Sequence, residues 1–302
     1  MIGGGPAGLS AALMLGRAGR RTLVLDAGQP RNRFAAHMHG VLGNEGTPPA
    51  DLLARGRTEA AGYGVAFADD TVEKVDVTDS TVAVATTGSG IWVARALIVA
   101  TGLTDDLPEI PGLAQQWGRR VLHCPYCHGW EVRDQRLGVL AMPPMGLHQA
   151  ELVRQWSAHL VVFTAALGPL DAEAERRLRA RGVELISEPV VEIADDGECL
   201  AVRTADGRSV PVDAVFTGGT PRPHDGFLAH LGLARTDTSL GSFLAVDPAG
   251  RTSNERIWAV GNVVNPTGNV PLSIGAGAMT GGAVNGALVT EDFDTALQEQ
   301  RR

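Results

Sequence analysis

Met1-Ile-Gly-Gly-Gly-Pro-Ala-Gly8 opens the chain, and its reading decides the fold. Gly3, Gly5 and Gly8 stand at the spacing G-x-G-x-x-G. The apolar residues 7–18 that follow predict a helix, and residues 22–26 (Thr-Leu-Val-Leu-Asp) predict a strand ending in an acid. Glycines alone carry little. Followed by helix, strand and acid, they read as a βαβ dinucleotide-binding unit. Gly3 permits the tight turn, Gly5 lets backbone approach a pyrophosphate, and Gly8 lets helix pack on sheet. The pyrophosphate belongs on the helix N-terminus, and Asp26 on ribose hydroxyls, which disfavours a 2′-phosphorylated nucleotide at this site.

One feature departs from that pattern. The fingerprint normally follows a buried strand of several apolar residues, and only Met1 and Ile2 precede it. Weak cofactor retention or low stability is expected of a chain starting there. Residues 28–50 form a Pro/Gly-rich connector of the kind that folds over a cofactor, with Arg31, Arg33 and His39 as its polar groups. Residues 51–61 predict a helix. Residues 65–93 alternate like antiparallel strands, with turns at 69–70 and 88–90. Residues 95–102 (Arg-Ala-Leu-Ile-Val-Ala-Thr-Gly) read as a buried strand ending in Thr101-Gly102.

The second informative stretch is His123-Cys124-Pro-Tyr-Cys127-His128-Gly-Trp-Glu131. Two cysteines three residues apart can close a small disulfide ring at a helix start. There a helix N-terminus and a neighbouring imidazole favour the reactive thiolate. Three other readings compete. C-x-x-C-H also attaches c-type haem, which needs an exporting signal and a distal ligand, and no stretch resembles a signal peptide. Zinc would find four candidate ligands, but ligands adjacent in sequence rarely wrap one tetrahedral ion, and there is no second C-x-x-C. The cysteines could also be merely structural. A redox-active disulfide is favoured, with no metal. His123 reads as a neighbour of the motif, and the third cysteine, Cys199, as a small buried residue on a strand.

The bulk composition bounds the rest. The 302 residues allow two domains of ordinary size. A hydrophobic content of 44% with mean hydropathy +0.02 fits a soluble globular protein. A net charge of −8 argues against nucleic acid or an anionic membrane as partner. No apolar run in the sequence reaches membrane-span length. Three cysteines give no structural disulfide framework, so a cytoplasmic location is expected.

Gly3–Gly8, Ala100-Thr101-Gly102, the central C-x-x-C and a late Gly261-Asn262-Val263 together resemble the low-molecular-weight thioredoxin reductase family, and the likeness covers essentially the whole chain. The resemblance implies an α/β fold of two Rossmann-like domains, the second inserted into the first. Residues 1–109 and 222–302 would bind FAD, and 110–221 would form the NAD(P)-binding-like insert carrying the cysteines. The hinges fall at 104–112 and 218–223. FAD contacts are implied for Gly3, Gly5, Pro6, Ala7, Gly8, Asp26, Ala27, Arg33, Val72, Ala100, Thr101, Gly102, Gly261, Asn262 and Val270. Most of the family has Gly-Asp where this chain has Gly261-Asn262. Asn keeps a hydrogen bond but not the charge. An Ala/Gly-rich helix, 275–289, would point its N-terminus at the isoalloxazine, and 291–302 reads as a polar, solvated tail. A homodimer is implied as well.

The insert departs from the reductases. After the predicted strand 136–141, a reductase has G-x-G-x-x-A/G; this chain has Ala141-Met-Pro143-Pro144-Met-Gly146. Proline where backbone must approach phosphate offers a ring and no N–H. The basic residues that clamp the 2′-phosphate are replaced by Thr164-Ala165-Ala166, and a phosphate clamp needs cations. FAD is therefore expected, and NADPH is in doubt. Cys-x-x-Cys-His also resembles the branch of dithiol oxidases that close disulfides in natural products such as gliotoxin and holomycin, where the reductases carry Cys-x-x-Cys-Asp. On that reading Cys124 exchanges with a small-molecule or peptide dithiol, Cys127 passes the electron pair to flavin, His128 is the acid–base group, and oxygen is the acceptor. Two alternatives stand. One is a reductase of a thioredoxin-like protein fed by NADPH or another donor such as ferredoxin. The other is a degenerate, non-catalytic redox sensor or binding protein.

Overall fold

The computed structural model describes residues 1–88 and 90–301. The chain divides into two compact units. One comprises residues 1–33, 49–104 and 221–302, and the other 34–48 and 105–220. The division differs from the expected 1–109, 110–221 and 222–302 chiefly in the connector 34–48, which packs with the insert. Phe34 explains part of this: a Cβ on Gly118 would lie 2.6 Å from both the Phe34 Cβ and its carbonyl oxygen, so the connector lies directly on the insert's backbone.

In the first unit, strands Ala66–Asp69, Leu23–Asp26, Leu97–Val99 and Ile257–Ala259 are all parallel. Ile2 fills the gap between the second and third, bridging Leu25 and Val99 in parallel. Ile2 thus stands where the expected first strand would run. Ile2 N–H donates to Ile98 O at 2.9 Å, and Ala100 N–H returns to Ile2 O at 2.8 Å. On the other side Leu25 N–H donates to Met1 O at 2.9 Å, and Gly3 N–H to Leu25 O at 2.7 Å. The Met1 ammonium lies 2.8 Å from Leu23 O, and burial pushes its pKa down to about 5. Residues 66–69, expected to be antiparallel, join the central sheet because Leu23–Asp26 has a free edge there. Only Val72–Val77, Val82–Thr86 and Ile91–Ala94 form the antiparallel meander.

Helix Pro6–Arg17 packs along Val270–Glu299, the longest helix. Glycine makes that approach possible: a Cβ on Gly277 would meet Ala7 O at 2.2 Å, and one on Gly281 would meet Ala11 O at 2.7 Å. The expected tail from 291 is instead the last turns of this helix. Nothing in it breaks a helix, and Glu291 and Asp292 anchor it to Arg95, Arg256 and Arg20. At 30 residues the helix is long and apolar enough to cross a membrane by length and composition, contrary to the expectation from the apolar runs of the sequence.

The second unit holds a five-stranded parallel sheet ordered Glu184–Ile186, Leu160–Phe163, Leu137–Leu140, Ala214–Phe216, Val121–Leu122. An antiparallel sheet, Val190–Asp195, Leu200–Thr204 and Ser209–Val212, adjoins it. Leu113, Phe163, Ile193 and Leu200 are buried in one core between the two sheets. Cys199 sits in the turn before Leu200–Thr204 and is half-buried, so the expected buried strand position is corrected. In the first unit the Ile2 stub is central; in the second Val121–Leu122 is at the edge and Leu137–Leu140 takes the central place.

Candidate active site

The first unit gathers a dinucleotide cradle. Gly3 has φ +100°, and a Cβ there would lie 2.3 Å from Ala100 O. A Cβ on Gly8 would lie 2.0 Å from Gly3 O, so helix and turn touch backbone to backbone. Gly5, by contrast, faces open space, with nothing within 4 Å of its Cβ position. It caps helix Pro6–Arg17 without a side-chain hydrogen bond. A bare helix N-terminus beside a glycine with free space fits a pyrophosphate. Ala7 buttresses the far side: a Cβ on Gly261 (φ +79°) would lie 2.9 Å from the Ala7 Cβ.

Asp26 ends its strand as expected, accepts from Gly28 N–H at 3.2 Å, and pairs with Arg57 at 3.7 Å. Arg57 belongs to helix Pro49–Gly62 and also holds Asp69 at 2.7 Å. No motif announced it. Ala100 is buried, and Thr101 Oγ1 donates to His224 O at 2.6 Å, fixing the turn whose Gly102 has φ +69°.

Three expected contacts look different in the structure. Arg33 donates to Pro30 O at 3.1 Å, folding its guanidinium onto its own turn. Both N–H groups of the Asn262 amide go to carbonyls, those of Asn265 and Gly268, each at 2.8 Å. Asn262 can therefore meet a hydroxyl only through Oδ1. The N-terminus beginning at Val270 is capped by Asn269, which accepts from Leu272 N–H at 3.1 Å, so part of the positive end expected to face flavin is already satisfied. Ala27 is exposed beside Asp26, and Val72 lies on the antiparallel meander.

The second unit carries the redox motif. Cys124 and Cys127 form a disulfide, with Cα atoms 5.2 Å apart. The expected helix is a single turn, Pro125–His128, for which Cys124 is the N-cap. Its short length weakens the dipole argument for a stabilised thiolate. Cys127 N–H donates to Cys124 O at 3.1 Å, and Gly129 N–H to Pro125 O at 2.7 Å. Gly129 is required: a Cβ would lie 2.6 Å from Pro125 O and 2.7 Å from the Trp156 ring. That ring meets Tyr126 edge-on, with centroids 5.7 Å apart. Gln149 donates to His123 O at 2.7 Å and steadies the entry to the motif.

His128 is half-buried, and its Nδ1 has no hydrogen-bond partner among the described residues. Desolvation holds its pKa below the ordinary histidine value, while the Glu131 charge and the Cys124 backbone pull the other way. A neutral imidazole beside a disulfide can accept a proton from an incoming thiol. Glu131 stands three residues beyond His128. The structure brings His39 to it, with Nε2 3.6 Å from Glu131 Oε1.

The turn after Leu137–Leu140 in the insert runs through 141–146. Gly146 keeps the packing role, since a Cβ would lie 2.7 Å from the Ala141 backbone. Pro143 and Pro144 are exposed at the turn where phosphate would approach. After the next strand, Thr164 is buried and its hydroxyl turns inward to Ile186 O at 3.3 Å.

Comparison with known proteins places this arrangement. HlmI is similar in structure at TM-score 0.94 and 41% identity, over 100% of this chain and 95% of that one. An oxidoreductase from Agrobacterium tumefaciens follows at TM-score 0.91 and 38% identity, over 96% and 97%. Thioredoxin reductase sirT of Leptosphaeria maculans is 30% identical over 94% of this chain and 92% of its own length. Residues 1–281 match the pyridine nucleotide-disulphide oxidoreductase family. The chain belongs to that family, as a thioredoxin reductase-like flavin disulfide oxidoreductase built of two Rossmann-like domains, the second inserted into the first.

Proposed function

We propose that this protein oxidises a small-molecule or peptide dithiol to a disulfide, with FAD as cofactor, oxygen as final acceptor and no use of NADPH. One contrast carries the reading. The cysteine turn and its half-buried imidazole are intact, while the insert's phosphate turn holds Pro143 and its clamp positions, 164–166, are uncharged. Gly5 and the bare start of helix Pro6–Arg17 would hold the pyrophosphate, Asp26 the ribose, and Asn262 Oδ1 a ribityl hydroxyl. When bound, FAD supplies the two-electron acceptor for the reduced cysteine pair, and dioxygen restores it while becoming hydrogen peroxide.

The exchange itself needs only this chain. His128 takes a proton from one substrate thiol, and the thiolate attacks Cys124 Sγ. The Cys124–Cys127 bond breaks, and Cys127 leaves as thiolate. The second substrate thiol loses its proton and closes on the first sulfur, expelling Cys124. Two electrons and two protons have then left the substrate, and its S–S bond has formed.

An anaerobic experiment tests the direction. The FAD-loaded protein is mixed with dithiothreitol in one cuvette and NADPH in another, and flavin absorbance is followed. The expected result is bleaching by dithiol, none by NADPH, and recovery in air with peroxide formed. Rapid bleaching by NADPH would overturn the reading. It would favour the reductase alternative, to which the name of the sirT relative points. The pH profile carries a second expectation. Because burial holds the His128 pKa low, its base form persists below the ordinary histidine range. Bleaching by dithiol should stay flat through about pH 6.5, the ordinary histidine pKa, and fall only in more acid solution. His128→Asn should slow it roughly a hundredfold, and an unchanged rate would remove the base role.

We also infer a cytoplasmic homodimer. Supporting the dimer, Leu272, Met279, Phe293 and Leu297 are exposed along the longest helix.

A further inference from the structure

The connector 34–48 is a closed loop. Met38 N–H donates to Thr47 O and Gly46 N–H to Met38 O, each at 3.0 Å, and Asn44 N–H donates to Val41 O at 2.8 Å. Gly40, Gly43 and Gly46 turn at positive φ, and Met38 and Val41 are buried as its anchors. Between the anchors stands His39. Its Nδ1 lies 2.6 Å from Glu45 Oε1, while Glu45 Oε2 accepts from Gly40 N–H at 2.9 Å. One carboxylate thus grips both the ring and the backbone that carries it. The other ring nitrogen lies 3.6 Å from Glu131 Oε1, and Glu131 is three residues beyond His128. The ring is hydrogen-bonded to Glu45 through Nδ1 and stands at ion-pair distance from Glu131 through Nε2.

We propose that His39 and Glu45 are positioning residues for thiol–disulfide exchange: Glu45 fixes the His39 ring, the ring stands 3.6 Å from Glu131, and together they set where the Glu131 carboxylate lies relative to His128 three residues before it. The titratable groups acting on His128 are Glu131, which favours its protonated form, and His39 and His123, which oppose it. His39 therefore works in two ways, by its own interaction with the His128 ring and by its approach to the Glu131 carboxylate. The proposal rests on the base role given to His128 above.

The test uses the FAD-loaded protein with labelled histidine. The His128 ring is titrated by NMR, and the acid limb of flavin bleaching by dithiothreitol is measured alongside. Glu131→Gln should move both to lower pH. His39→Gln and Glu45→Gln, which preserve size and hydrogen bonding, should move both to higher pH. In mildly acid solution these two variants lose rate by well under the roughly hundredfold expected for His128→Asn. Loosened packing would move all three variants the same way, and that result, or three titrations at the wild-type pH, would overturn the proposal. His128→Asn separates the two ideas. If it bleaches at the wild-type rate, the base role falls and this proposal with it. If it slows while the clamp variants do not move, only the clamp is wrong.

Discussion

Gly5 and Gly8 stand in one fingerprint and do different jobs, which a pair of substitutions separates. At Gly8 a methyl would sit 2.0 Å from a backbone oxygen that cannot move away. Gly8→Ala should cost about 3 kcal/mol or more and yield little folded protein. At Gly5 the backbone is extended, with φ −73°, and the space is open. Gly5→Ala should melt close to wild type yet purify with less flavin, because the methyl stands where phosphate approaches. Equal flavin content in Gly5→Ala and wild type would refute the cradle. The fingerprint could be read from sequence because each glycine answers a backbone demand of fixed spacing. Arg57 on Asp26, and His39 on Glu131, could not. Those contacts join positions far apart in the chain, and Arg57 alone reads as an ordinary surface charge.

At the scale of elements, period and punctuation located the strands and helices, but partners were harder to read. Residues 66–69 alternate like a meander strand and instead extend the parallel sheet, because alternation reports burial and not strand direction. The two-residue stub at the chain start has a thermodynamic signature. The Met1 amine has a pKa of about 5 in the folded chain against an ordinary value of 8.0 for a solvated amine. Between those values the unfolded chain binds the proton and the folded chain does not. Stability therefore rises with pH across that window, by about 1.4 kcal/mol per unit. A chain beginning at Met1 should melt progressively higher from about pH 5 to pH 8. Adding two apolar residues before Met1 turns the amine into a peptide N–H that can still reach Leu23 O without a buried charge. The extended chain should melt higher in the acid half of that window, with the slope largely gone. Matching slopes in both chains would show that the amine is not its source.

At the scale of the molecule, the order of motifs disclosed an inserted domain, because chain order survives when individual contacts are illegible. It did not disclose that 34–48 packs with the insert, since a loop's allegiance lies in its anchors, here Met38, Val41 and Phe34. Nor did it disclose the outer face of Val270–Glu299. Leu272, Met279 and Phe293 are 58%, 55% and 70% exposed and recur at multiples of seven residues, with Gly286 at the missing place and Leu297 one turn beyond Phe293. A seven-residue apolar repeat with small residues between is the seam another helix packs into. Exposed apolar stripes of this kind normally meet a partner. If the partner is a second copy of the chain, a two-fold axis would set the two seams against each other. Met279→Asp would bury a charge at their centre. Light scattering should then give half the wild-type mass, with far-UV dichroism unchanged because the Met279 side chain is exposed. A Met279→Asp protein of wild-type mass would assign the dimer contact to another surface. A wild-type chain that is monomeric and floats with neutral lipid vesicles would assign the stripe to a bilayer.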